Sequence, residues 1–180
     1  MAMGRVALLA AVACVLVSAA PAAASGGPVP GAALQGSFLL AGRVKVQGHI
    51  RGEHTGQTVL RTWQFQPGCP SGPCQTVTLT RPRAGGIDTV VLQQVQPGYY
   101  VGRGSYYAPL SCAGKIYRPG ERVPFTITVT VTTAVTVNGV LTAGRLYTTY
   151  SNPIRFNLTP CVAVLGHDSA SYHGHIVPAG

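Results

Sequence analysis

Residues 123–132 read Val-Pro-Phe-Thr-Ile-Thr-Val-Thr-Val-Thr, and this run decides the fold class. Phe125, Ile127, Val129 and Val131 alternate with Thr126, Thr128, Thr130 and Thr132. A period of two puts the apolar set on one face of a pleated strand and the hydroxyls on the other. Threonine suits the wet face because its β-branched side chain packs well on the pleat. Just downstream, Asn138-Gly139 stands between Val137 and Val140. That pair is the preferred content of a two-residue hairpin turn, whose central residues both need positive φ. Residues 140–150 then read as the returning strand, stopped by Asn152-Pro153.

The same alternation extends upstream. Phe38, Leu40, Gly42, Val44, Val46, Gly48 and Ile50 share one face, with Arg43, Lys45, Gln47 and His49 between them. After a polar turn at 51–57, residues 58–66 place Val59, Arg61, Trp63 and Phe65 together. A Pro/Gly/Cys loop at 67–74 leads to a third strand at 75–81, with Val77 and Leu79 inward. A break at 82–86 precedes a strand at 88–96, and Pro97-Gly98 turns the chain. The fifth strand, 99–107, carries glycines that mark bending or close backbone approach. Residues 111–120 read as a loop holding Cys112.

No segment shows a capped 3.6-residue period, so the chain is all-β. Seven or eight strands joined by short turns predict an antiparallel up-and-down meander. Closure into a lipocalin-like barrel hides its edges best. A β-sandwich is the alternative, although the Cys-Trp-Cys order of immunoglobulin domains is missing because Trp63 precedes Cys69, Cys74, Cys112 and Cys161.

The first 24 residues have a single Arg5, an apolar run from 6 to 17 and Ala22-Ala23-Ala24. This is the pattern of a cleaved signal peptide, too short to span a bilayer comfortably. Cys14 follows Ala11-Val12-Ala13, a poor lipoprotein box, so a lipid anchor at Cys14 is the minor alternative to a secreted, extracellular protein. The expected organisation is signal 1–24, flexible lead-in 25–36, β domain 37–161 and polar C-terminal tail 162–180. No span long enough to cross a membrane as a helix is expected after the signal.

Five cysteines in 180 residues become four once the signal leaves. An even count in an exported chain predicts two disulfides. Cys69 and Cys74 suit a local clasp, leaving Cys112 for Cys161; a zinc site is the rival reading, without the C-x2-C spacing it prefers. Thirteen basic residues face four acidic ones, and losing Arg5 leaves twelve against four, a charge of +8. With 46% hydrophobic and 9% charged residues, a disordered polar chain is excluded.

The segment Arg61-Thr-Trp63-Gln-Phe65-Gln-Pro67-Gly-Cys69-Pro-Ser-Gly72-Pro73-Cys74, with Thr76 to Arg81, Gly98-Tyr-Tyr100-Val-Gly102 and Cys112, resembles a group of secreted actinobacterial proteins without an assigned activity. The resemblance covers roughly residues 36–161 and implies export and a β fold. Gly36-Ser-Phe38 is faintly similar to the G-x-W opening of lipocalins.

Catalytic signatures are missing from the sequence: no G-x-S-x-G, no phosphate-cradling loop, no H-E-x-x-H. Glu53, Asp88, Glu121 and Asp168 are the only carboxylates, and none has a recognisable context. Two clusters remain. His167, Asp168, His173 and His175 could ligate zinc or copper weakly. Arg61, Trp63, Tyr99, Tyr100, Arg103 and Tyr147, with Tyr106, Tyr107, Arg145 and Tyr150, could stack on sugars or clamp anions, or else be core. The expectation is a binding protein without a cofactor. Its partner would be a small ligand or an anionic cell-envelope polymer drawn by the net charge. Nucleic acid is not expected. The alternatives are an extracellular protein-interaction or protease-inhibitor module presenting the Cys69–Cys74 loop, and an uncharacterised hydrolase.

Overall fold

Alternating strands joined by tight turns can bury one face and pair both edges only by rolling up, and the chain does so. The computed structural model describes residues 27–83 and 85–177. Their strands are β1 (Gly36–Gly48), β2 (Thr58–Pro67), β3 (Thr76–Arg83), β4 (Gly86–Gln96), β5 (Tyr99–Cys112), β6 (Lys115–Val137), β7 (Val140–Asn152), β8 (Phe156–Asn157) and β9 (His167–Ile176). Each long strand pairs antiparallel with its neighbour in sequence, β5 pairs with β6, and β9 lies between β7 and β1. The result is a closed eight-stranded up-and-down barrel of the lipocalin-like kind, with short β8 added to β6. Closure excludes the sandwich. No helix among the described residues is long and apolar enough to cross a membrane. The expected signal segment 1–24, including Cys14, lies outside the described residues.

The core occupies one half of the barrel. Phe38 meets Phe65 edge to face at 5.4 Å, and Leu40, Val77, Leu79, Leu92, Tyr100, Ile127 and Val129 are fully buried around them. Two glycines make this packing possible. A Cβ on Gly42 would strike the Tyr172 ring and the Ser171 carbonyl, and one on Gly104 would strike the Phe125 ring. These are the close approaches that the glycine-bearing strands predict.

Three expectations change. The lead-in is not a loose tether over residues 27–35 but a cap on the core end. Val29 N–H donates to Val131 O, Ala33 N–H to Leu141 O and Ala143 N–H to Ala33 O, while Ala32 and Leu34 are buried. The region 111–120 is not a loop, because β5 and β6 run on to a two-residue turn at Ala113-Gly114, both with positive φ. Finally, the polar tail contains β9, which closes the barrel. Its inward residues Ala170, Tyr172 and Gly174 are small or aromatic, so they carry no aliphatic signal, and its partners on β1 and β7 supply the order.

Cys69 pairs with Cys74 and Cys112 with Cys161. The first clasps the β2–β3 connection, with Cys74 inside the core. The second ties the β5–β6 turn to the segment entering β9. It encloses a separation of 49 residues against 5. On the loop-entropy account, replacing Cys112 and Cys161 by serine should cost about 4 kcal/mol, and replacing Cys69 and Cys74 about 2 kcal/mol. Urea unfolding of both double variants checks the order; equal losses would contradict it.

Candidate functional site

The other half of the barrel is not filled with aliphatic side chains. Here the C-terminal ends of β1, β3, β5 and β7 meet the N-terminal ends of β2, β4, β6 and β9, around a cavity of about 740 Å³. That lies within the size range of small-molecule sites. Its walls come from Val44, Val59, Ala108 and Ala170, from Trp63, Tyr106, Tyr150 and Tyr172, and from Arg61, Arg81, Arg83, Arg118, Glu53 and Asp168. Trp63 and Tyr172 pack with ring centroids 5.6 Å apart.

The strand period explains how charges arrive there. Inward positions on β3 run Val77, Leu79, Arg81, Arg83; on β4 Leu92, Val90, Asp88; on β6 Phe125, Val123, Glu121; on β9 Tyr172, Ala170, Asp168. Each series is apolar or aromatic in the core and turns polar toward the mouth. Asp88, Glu121 and Asp168 converge on this end, and Glu53 joins from the β1–β2 loop, so every carboxylate of the chain lies here.

Three of the four are held by arginine. Arg81 Nη2 donates to Asp88 Oδ2 at 2.9 Å, and its guanidinium lies 4.0 Å from the Phe125 ring centroid and 5.2 Å from that of Tyr150. Arg155 spends all three nitrogens: Nη1 to Glu121 Oε1 at 2.6 Å, Nη2 to Asp168 Oδ1 at 3.1 Å, and Nε to Asn152 Oδ1 at 2.9 Å. Asn152 in turn donates to Pro124 O and Ile154 O, which locks this joint. Arg83 stacks 4.2 Å from the Tyr106 ring centroid and reaches Asp88 only at 3.9 Å.

Burial pushes the Asp168 carboxyl above its usual range, with Arg155 opposing the rise. Burial and then the nearby Asp168 charge raise Glu53, with Arg155 and Arg61 opposing. Burial also raises the Tyr150 and Tyr172 phenols, which stay neutral. Arg81 Nε, Arg83 Nε and Asp88 Oδ1 are buried without a hydrogen-bond partner among the described residues. Such atoms are costly to leave unmet and commonly mark a site for water or ligand.

The two clusters expected from sequence are both divided by the fold. Of Arg61, Trp63, Tyr99, Tyr100, Arg103 and Tyr147, only Arg61 and Trp63 line the cavity, joined there by Tyr106, Tyr107 and Tyr150 of the same cluster. Tyr100 is buried in the closed half, accepting from Gln94 Nε2. Arg103 and Tyr147 point outward, the latter stacked on His173 at 5.2 Å, and Tyr99 shares that outward parity. The six therefore form no continuous platform. The histidine cluster is split because Asp168 faces inward to Arg155 while His173 and His175 are exposed on the outer face of the same strand. His167 packs beside Gly48. No group of three His, Cys, Asp or Glu suited to a metal occurs among the described residues.

Arg81, Arg83, Asp88, Glu121 and Arg155 were not picked out from the sequence. A usable signal existed for the first four, since they continue the inward periods of β3, β4 and β6. Arg155 sits in a connection and offers no local signal. Set against protein-family models, curated proteins and solved structures, the chain matches none.

Proposed function

We propose that this chain is a secreted barrel that holds a small ligand in its mouth and acts by binding. One observation carries the reading: a barrel packed solid in one half and, in the other, a cavity of about 740 Å³ lined by aromatic rings and arginines. Two disulfides and the signal-like leader support export. The envelope-polymer alternative has less support, because the aromatic and basic residues it needs are not on one surface; diffuse positive charge is what remains for it.

The test is a thermal-shift panel of small organic acids, amines, sugars and neutral aromatics on the wild type and on Ala108→Phe, which puts a ring into the cavity. At a hundredfold excess over Kd a ligand adds about 2.7 kcal/mol, a rise of about 5–10 °C for a domain of this size. At least one class should raise the wild-type Tm and leave Ala108→Phe unmoved. A panel silent throughout, or one moving both proteins alike, sinks the reading. Salt-sensitive binding to isolated cell walls by both proteins would favour the polymer instead.

A further inference from the structure

We infer that the ligand is a small organic anion, a flat apolar body carrying one acid group that the mouth arginines hold. This rests on the small-ligand reading above and goes further by setting the charge and shape of what enters.

The charge follows from which ions are already matched. Asp88 is committed to Arg81, and Glu121 and Asp168 to Arg155. Arg61, Arg83 and Arg118 also line the cavity. Among the described residues, Arg61 donates only to the Leu60 carbonyl, Arg118 has no ion pair, and Arg83 has only its 3.9 Å contact with Asp88. Among the described residues, Glu53 is the one acid in the lining without a guanidinium within ion-pair distance. Three weakly engaged guanidinium groups therefore face one unpaired carboxyl. A cation entering would meet repulsion, whereas a carboxylate or sulfonate would find forked donors of matching geometry.

The shape follows from the walls. Trp63, Tyr172 and Tyr106 line the cavity together with Val44, Val59 and Ala170. Aromatic and aliphatic walls of this kind suit a flat apolar body, and the Arg83–Tyr106 stack places a guanidinium against the same wall. Farther in, Arg81 Nε, on a side chain more than nine-tenths buried, still has a hydrogen bond to give among the described residues. It suits a polar atom at the ligand's leading end.

Three probes on one naphthalene body vary the charge: 2-naphthoate, its isostere 2-naphthamide, and 2-naphthylmethylammonium, titrated calorimetrically into the secreted protein with both disulfides formed. The naphthoate should bind saturably at one site, and the amide about tenfold more weakly or worse, the worth of a charge-assisted hydrogen bond. Arg83→Gln and Arg118→Gln should each weaken the naphthoate while leaving the amide unchanged, and Arg83→Lys should fall between. Arg118 is exposed, so its variant keeps the test clear of folding. Binding of the amide or ammonium as tightly as the naphthoate overturns the inference and spares the small-ligand reading. Silence from all three beside a positive thermal-shift panel also overturns the inference alone. Silence from both overturns the two together.

Discussion

Ending the chain at Gly166, just before β9, should abolish cooperative unfolding altogether. β9 pairs with β1 from Phe38 to Gly48 and with β7 from Arg145 to Asn152. Removing it opens the barrel and leaves two long facing edges without hydrogen-bond partners, which strands tolerate poorly. It also takes away Tyr172, which covers Trp63 and Gly42, and Asp168, one of the two acids holding Arg155. The measurement is a circular-dichroism melt of the truncated protein. No sigmoidal transition, with fast proteolysis, is the expected result. Adding a peptide of residues 167–176 in trans should restore part of the protection. A truncated protein melting like the full chain would mean the barrel does not depend on its last strand.

Arg155→Met should destabilise the protein by about 3–5 kcal/mol, the usual loss when one partner of a buried ion group is removed. The Arg155, Glu121 and Asp168 side chains are only 9%, 6% and 15% exposed, so water cannot take over from the guanidinium. For a domain of this size Tm should fall by about 10–15 °C. Replacing Glu121 by Gln and Asp168 by Asn in the same molecule should recover much of that loss, since neutral amides need less compensation. A Tm within two degrees or so of wild type for the single variant would show the joint to be far wetter than its burial implies.

How much of this was legible beforehand depends on how local the signal is. The alternation of 123–132 and the Asn138-Gly139 turn describe themselves, because pleat period and positive φ are properties of neighbouring residues. The matching turn at Ala113-Gly114 was hidden, since alanine is not a residue that favours positive φ, and the continuous pairing of β5 with β6 imposes it. In the sequence β9 looks like a polar tail because its inward face is Ala, Tyr and Gly, which fit under Leu40 and over Gly42 and carry no aliphatic pattern. Trp63 and Tyr100 look alike as ligand candidates in the sequence; closure buries both in the core, and only Trp63 also borders the cavity.

Composition, period and turn chemistry thus determined an exported-looking, disulfide-bearing, all-β chain whose strands follow one another around a barrel. Which half fills, which half stays open, and that four scattered carboxylates meet five arginines at one end were decided only by the tertiary structure. The reason is geometric. A residue's face follows from its own strand, but its neighbours across the interior follow from the register of all eight strands at once, and that register exists only when the last strand closes the ring.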